Sequence, residues 1–405
     1  MVVAFSVPYS ETMIGGYRIA IECTKRFIQK GLHVIFLTNE HGKKMFRRYI
    51  DAKEENFILS TWMPVKGKGA IVSFPIAACF YTLMTITGSY TVVRNLNNIT
   101  SCKGKTHEKL MIYSTSPFIT DIVPSLILRH RIKGSKMIVA MSMFSPPPLK
   151  GWRAFQEAKV GIPDIRAITH YVNQVCTYSL VKRFADGIYV NNDLDRHRAI
   201  IDGFKPSAVK ILGMGVDNRL SNKIEAPGTK KYDCVFVGRL HPQKGVLEML
   251  DIWKLFVEKN QRAKLAIIGN GPLESKMKRK VQQLRLKDNV EMFGFMDGEE
   301  KIKILKSSKV FLHPSLYDSG GMAALEGMSC GLPGISYDLP DLRVYYPQGM
   351  IKVPCYDHRK FAESIDKLIN DHDLYRKLSN EAIQWAREHD WDKQADELLA
   401  FLEHI

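Results

Sequence analysis

The sequence predicts an α/β protein made of two doubly wound domains, each built on a parallel sheet. Three observations carry that expectation. Short apolar, β-rich runs alternate with longer helical patterns along most of the chain. The runs are continuously apolar rather than alternating, as in strands covered on both faces. And 405 residues, 45% of them hydrophobic, are enough for two sizeable cores.

In order along the chain, the run VVAFSV (residues 2–7) is a strand, GYRIAIECTKRFIQKG (16–31) a helix and HVIFLT (33–38) a strand. KLMIYST (109–115), SKMIVAMS (135–142) and DGIYVN (186–191) continue the series, each after a helical stretch. DCVFVG, KLAIIG, NVEMFG, VFLHPS and LPGISY repeat the rhythm between residues 233 and 337. The one proline cluster, SPPPLKG at 145–151, reads as an exposed loop. A short strand followed by a polar link rich in Gly, Asn and Pro, within 209–233, marks a boundary. The expected domains are 1–213 and 214–382. The amphipathic tail 383–405, anchored by Trp385 and Trp391, is expected to be a helix crossing back to the first domain.

Charge is unevenly spread. The net charge is +16, yet residues 1–200 hold 27 Lys and Arg against 13 Asp and Glu, while residues 201–405 hold 31 against 29. The positive field belongs to the first half, which should meet something acidic: anionic lipid, a phosphorylated substrate or nucleic acid. A basic surface kept for solubility is the plain alternative. Nucleic acid is disfavoured, because the basic half lacks interleaved aromatics on a platform. Seven scattered cysteines with no CxxC pair argue against a disulfide framework or a zinc site and for a reducing compartment. The start lacks the basic region of a signal peptide. Residues 70–93 carry no charge, with Lys66 and Lys68 before them and Arg94 after. Pro75, Gly88 and the many hydroxyl residues argue against a membrane span. A buried helix, or one lying in a membrane interface, is expected instead.

Ligands of open parallel sheets sit beyond the carboxyl ends of the strands. There, VFVGRLHPQKG places Gly238, Arg239 and Lys244 in one strand-to-helix loop. Two cations so placed suit a diphosphate, although a solvated loop with routine basic residues reads the same. Gly269 and Gly271 in AIIGNGP end the next strand, where glycine lets a backbone approach a ligand, and where a plain turn would also use it. Phe293, in VEMFGF, could offer an edge to a nucleobase or be core. In HPSLYDSGGMAALEGMSCG, a strand, a loop and a helix follow one another, so the loop lies at a helix N-terminus and forms an anion site. Asp318 precedes that helix and Glu326 lies about a turn inside it. Two carboxylates beside an anion site can accept hydrogen bonds from sugar and ribose hydroxyls; Asp318 alone could be an N-cap.

Together these motifs resemble glycosyltransferase family 4, retaining enzymes that use nucleotide-sugars and have the GT-B fold, two doubly wound Rossmann-like domains facing across a cleft. The resemblance is strongest from Asp233 to Asp338. It implies that Arg239 and Lys244 hold the donor diphosphate, that Glu326 binds the ribose, and that Asp318 contacts the transferred sugar. The amides of Gly320, Gly321 and Met322 would meet phosphate and sugar. MIGGYR resembles the family's glycine loop, so Gly15 and Gly16 would face the diphosphate. Two departures stand out. Asp318 replaces the usual Glu, one methylene longer. Ser142 and Met143 stand where many members carry His; His170 and His313 are candidates by residue type alone, with a structural role the commoner reading.

The implied activity is a metal-independent, hexosyltransferase-type transfer with retention, needing no cofactor beyond the nucleotide-sugar. The basic first half and the uncharged run suit a lipid-linked or membrane glycan acceptor, on a cytoplasmic enzyme associating peripherally with an anionic membrane surface. A soluble acceptor stays open. So does a nucleotide-sugar-binding subunit without catalysis, and, with less support, a sugar epimerase on the same scaffold.

Overall fold

A computed structural model describes residues 2–5, 15–59, 74–101, 110–142, 144–149, 165–318 and 320–405. Lys66, Lys68, the start of the uncharged run, Met143 and Ser319 lie outside the described residues. The chain divides into two compact units. The first runs up to Gly213 and takes in Asp392–Ile405; the second holds Met214–Trp391.

Among the described residues, the first unit has seven strands: β1 (Val2–Phe5), β2 (Val34–Thr38), β3 (Phe57–Leu59), β4 (Met111–Ser114), β5 (Lys136–Ala140), β6 (Gly187–Val190) and β7 (Val209–Ile211). All pair in parallel, in the order β3-β2-β1-β4-β5-β6-β7. Its helices are α1 (Gly15–Gln29), α2 (Glu40–Arg47), α3 (Phe74–Arg94), α4 (Leu96–Ser101), α5 (Ile119–Arg131), α6 (Ile165–Phe184) and α7 (Asp193–Ile201). Ile112, Ile138, Val139, Ile188 and Val190 are wholly buried, which is why these strands read as unbroken apolar runs.

The second unit contains α8 (Asn218–Lys223), β8 (Tyr232–Val237), α9 (Val246–Lys259), β9 (Leu265–Ile268), α10 (Glu274–Gln283), β10 (Val290–Gly294), α11 (Gly298–Lys306) and β11 (Ser308–His313). It continues with α12 (Met322–Ser329), β12 (Gly334–Tyr337), α13 (Pro340–Tyr345), β13 (Met350–Val353), α14 (His358–Asn370) and α15 (His372–Glu388). The order is β10-β9-β8-β11-β12-β13, again parallel throughout. In this sheet the winding reverses between β8 and β11, the topological switch point where open α/β sheets leave a crevice. Cys234, Phe236, Leu265, Ile267, Val310 and Leu312 alternate onto one face and join Met249, Trp253, Phe361 and Ile365 in one core.

The tail differs from the single helix its sequence suggests. It is split into α15 and α16 (Trp391–His404). The break falls where the backbone pairs with Val216, whose N–H donates to the His389 carbonyl at 2.9 Å and whose carbonyl accepts from Trp391 at 3.2 Å. An intact helix would need those groups for itself. Beyond the break, Asp392 meets Arg26 at 2.5 Å, Asp396 meets Lys30 at 2.9 Å and Glu397 meets Lys210 at 3.0 Å, all within the first unit.

The described part of the uncharged run forms α3, which packs on α5; a Cβ on Gly88 would lie 3.1 Å from Pro124 Cγ. Its other face presents Leu83, Ile86, Tyr90 and Val93 to solvent, the last three at 58%, 60% and 50% exposure. Among the described residues, no helix is long and apolar enough to cross a membrane.

Candidate active site

The loops after β8 and β11 flank the switch point, and the sequence places its cations and acids on them. After β8, Arg239 stands exposed, and a turn at Pro242–Lys244 carries Lys244 to the start of α9. The two loops are joined through backbone: Leu316 N–H donates to the Gln243 carbonyl at 2.8 Å. Across that junction Lys244 Nζ reaches Asp318 Oδ2 at 2.5 Å.

Asp318 is the centre of this arrangement. Its Oδ2 also accepts from His313 Nε2 at 3.0 Å, and its Oδ1 accepts from the amides of Gly321 at 2.9 Å and Gly320 at 3.3 Å. Only 7% of the side chain is exposed. The carboxylate is therefore engaged by its own loop and its buried neighbours. Its short side chain bonds the amides of its own loop, and the N-cap of α12 is Gly321 rather than Asp318. Two of the three amides expected to meet a phosphate, those of Gly320 and Gly321, are turned to Asp318. The Met322 amide belongs to the first turn of α12, where N–H groups lack intrahelical acceptors and the helix dipole favours an anion.

Burial on its own would raise the Asp318 pKa. The Lys244 charge and the His313 hydrogen bond outweigh it, and the carboxyl is held well below the usual range. His313, 2% exposed, is pushed the other way: burial lowers its pKa against the pull of Asp318. A neutral ring donating from Nε2 satisfies both facts. Its buried Nδ1 then carries a lone pair, consistent with the absence of a partner among the described residues.

Gly321 has φ of 58°, and a Cβ there would sit 3.0 Å from Tyr346 Cε2 and 3.1 Å from His313 Nε2. Tyr346 in turn donates from its hydroxyl to the Gly321 carbonyl at 2.7 Å. The loop is thus fixed from below by His313, from its own side by Asp318 and from behind by Tyr346.

Glu326 lies on the second turn of α12, its side chain 14% exposed. Its Oε1 accepts from Lys301 Nζ at 2.8 Å, and Lys301 also donates to Asp297 Oδ1 at 2.8 Å. Sequence reading missed Lys301, because a lysine in GEEKIKILK looks like one more solvated charge.

Other expected residues take different parts. A Cβ on Gly269, where φ is 143°, would lie 1.9 Å from the Gly238 carbonyl, and one on Gly271 would lie 2.5 Å from the Leu240 carbonyl. What presses on these glycines is the neighbouring loop, the one that carries Arg239. Phe293, next to last in β10, sits at a register irregularity and packs edge-on against Tyr232, with ring centres 6.0 Å apart. The aromatic exposed beyond that strand is Phe295, at 46%.

In the first unit, Gly15 and Gly16 begin α1, and a Cβ on Gly16 would approach Ser142 Oγ to 3.1 Å. His170 packs edge-on against Phe118 at 4.5 Å, the structural role expected of it. Among the described residues, no group of three or more His, Cys, Asp or Glu side chains is arranged as a metal site.

Residues 217–385 match the family Glycosyl transferases group 1. The chain is 25% identical over 293 residues to a putative colanic acid biosynthesis glycosyltransferase, WcaL, of Salmonella typhimurium, covering 69% of each chain. It is 20% identical over 344 residues to a phosphatidylinositol N-acetylglucosaminyltransferase component of Arabidopsis thaliana, covering 85% of this chain and 68% of that one. Other curated relatives are spanned over less of their length, 66% of an uncharacterized glycosyltransferase of Methanocaldococcus jannaschii and 26% of a poly(glycerol-phosphate) alpha-glucosyltransferase of Bacillus subtilis. Among solved structures, Anabaena HepE in complex with UDP and glucose superposes with a TM-score of 0.69 at 14% identity, covering 100% of this chain and 99% of that one. The match to Glycosyl transferases group 1 lies within the second unit, and the likeness to solved structures gives the chain the GT-B fold.

Proposed function

We propose that the protein transfers a hexose-type sugar from a nucleotide-sugar to a lipid-linked or membrane glycan, with retention of configuration and without a bound metal. One observation carries the donor reading. Arg239 and Lys244 follow β8, while the first turn of α12 and Glu326 follow β11, so cations, a helix N-terminus and a carboxylate flank the same switch point. The cations and the helix dipole suit a diphosphate, and the carboxylate suits a ribose. The UDP bound by HepE makes uridine the first base to test.

In the proposed reaction, an acceptor hydroxyl attacks the anomeric carbon from the face that the diphosphate leaves. The bond between that carbon and the phosphate oxygen breaks, the glycosidic bond forms, and the departing phosphate oxygen takes the acceptor proton. Arg239 and Lys244 stabilise the charge that develops on the diphosphate. Asp318 supports this course over a double displacement: a carboxylate with both oxygens engaged and 7% exposed is poorly placed as a nucleophile.

The acceptor reading rests on the first unit: its basic balance and the exposed Leu83, Ile86, Tyr90 and Val93 of α3, next to the exposed Arg94. Apolar side chains beside basic ones suit an anionic leaflet, where each basic residue adds about 1 kcal/mol. The peripheral, cytoplasmic-face placement follows from that acceptor.

A second reading is favoured by the engaged carboxylate of Asp318 and by Ser142 standing where the resemblance to family 4 implies His: a nucleotide-sugar-binding subunit with little catalysis. A thermal-shift screen with UDP-, GDP-, ADP- and TDP-sugars, with and without EDTA, tests the donor site. A ligand at 100 times its dissociation constant adds about 2.7 kcal/mol of stability. The proposal expects a shift with one base, unchanged by EDTA and lost in Glu326→Ala. Turnover of that donor then decides between an enzyme and a binding subunit. Flotation with anionic liposomes, lost in Ile86→Asp, decides the acceptor side; a soluble-acceptor enzyme would stay at the bottom of the gradient.

A further inference from the structure

Lys301 is 8% exposed, in the first turn of α11, with its ammonium between two acids from different parts of the chain. Asp297 is the N-cap of α11; its Oδ1 accepts from the Gly298 amide at 2.9 Å as well as from Lys301. Glu326 belongs to α12. The single nitrogen therefore ties the loop after β10, which presents Phe295, to the helix whose N-terminus faces the proposed diphosphate site.

We infer that Lys301 is a positioning residue for the donor nucleoside: it holds Glu326 in the orientation that accepts ribose hydroxyls and fixes the Phe295–Asp297 loop beside the nucleobase. The inference rests on the proposed placement of the ribose at Glu326. Three physical points carry it. A buried lysine is costly unless it is paired, so a two-acid cradle defines one position for the ammonium. Lys301 engages Oε1 of Glu326, and a carboxylate has further lone pairs with which to accept from a ligand's hydroxyls. And Asp297 and Glu326 are both within hydrogen-bond reach of one nitrogen, so without it two like charges face each other and Glu326 swings away, in a place where an anionic diphosphate must also be accommodated.

The test is calorimetric titration with uridine, guanosine and adenosine diphosphates and, for the one that binds, its 2′-deoxy and 3′-deoxy counterparts. Wild type, Lys301→Met, Glu326→Ala and the double variant are compared. Wild type is expected to prefer the ribonucleotide about tenfold or more, as hydrogen bonds to a charged acceptor do. Lys301→Met is expected to weaken the ribonucleotide about tenfold and the deoxynucleotides much less, so the preference shrinks. In the Glu326→Ala background the same substitution should add less than twofold, because coupled residues are not additive. Equal weakening of ribo and deoxy forms, or a full tenfold loss on top of Glu326→Ala, overturns the positioning role while leaving the donor site intact. Binding unchanged in Glu326→Ala, or no binding by wild type, overturns the donor site itself and this inference with it. Should Lys301→Met melt well below wild type, Lys301→Gln, which keeps a donor but no charge, runs the same cycle.

Discussion

Lys244 Nζ lies 2.5 Å from Asp318 Oδ2, joining a cation from the loop after β8 to an acid from the loop after β11. The pair lies at the sheet's switch point. Its geometry sets what each partner can do. Lys244 keeps 21% of its side chain exposed and can turn toward an anion, whereas Asp318 stays inside.

Asp318→Glu is the variant that separates a sugar contact from an internal support. The longer acid is the one the resemblance to family 4 implies, so a sugar-contacting role predicts activity kept or raised with an unchanged melting temperature. The inward geometry predicts the opposite. An extra methylene among His313, Lys244 and Gly321 overpacks the loop, at about 1–3 kcal/mol. Both turnover and melting temperature should fall. Asp318→Asn should destabilise more, toward the roughly 3–5 kcal/mol of a broken buried pair. Donor turnover and thermal melts on the two variants check this.

Arg239 and Lys244 should be alike in catalysis and unlike in stability. Removing either donor to the leaving diphosphate is expected to cost about 10²–10³ in kcat. Arg239 is exposed, and Arg239→Ala should leave stability within about 0.5 kcal/mol. Lys244→Ala strands the Asp318 charge, and partial exposure of the lysine puts the loss near the lower end of the roughly 3–5 kcal/mol range. Equal melting temperatures for the two variants would count against the Lys244–Asp318 pair as drawn.

Gly321→Ala asks a methyl group to enter space held by Tyr346 and His313, at a backbone angle an L residue resists. The left-handed conformation costs about 1–2 kcal/mol, and crowding adds about 1–3 kcal/mol. Urea unfolding should register a loss of a few kcal/mol, and nucleotide binding should weaken with it. Gly298→Ala provides the control: φ is 62° there, with nothing within 4 Å of the added carbon, so the backbone term alone remains.

Much of the fold was legible because the strands of a doubly wound sheet are buried on both faces and cannot hide in the sequence. β8, β9 and β11 read directly as apolar runs. Two of the edges did not: β3 has three residues and β13 has four, and each pairs on one side only. The split between α15 and α16 depends on Val216, far away in the chain, and no local pattern shows it. The site divides in the same way. Arg239, Lys244, Asp318 and Glu326 could be placed from their spacing around strand ends. Their partnerships could not, since Lys244 and Asp318 lie 74 residues apart and Lys301 and Glu326 lie 25 apart. Gly269 and Gly271 were visible as glycines, but what crowds them, the loop after β8, exists only once the sheet has formed.

The support beneath the site should give stability a distinct pH dependence through Lys352. Burial lowers its pKa from 10.5 to about 8, against a smaller upward pull from Asp338. Its ammonium donates to Ser336 Oγ and the Leu342 carbonyl, both at 3.1 Å. Between about pH 8 and 10.5 the unfolded chain holds this proton and the folded chain does not. The unfolded state thus binds more protons, and stability rises with pH across that window. Below about pH 8 the lysine is charged in both states and folding carries the full cost of burying it, roughly 3 kcal/mol. Lys352→Met removes that titration. Urea unfolding of wild type and variant at pH 7 and pH 9.5 isolates the effect, since other groups titrate in both. Wild type should gain on the variant by about 1–2 kcal/mol over that interval. Parallel movement of the two would mean that Lys352 keeps an ordinary pKa, and that water or Asp338 compensates its charge where it lies.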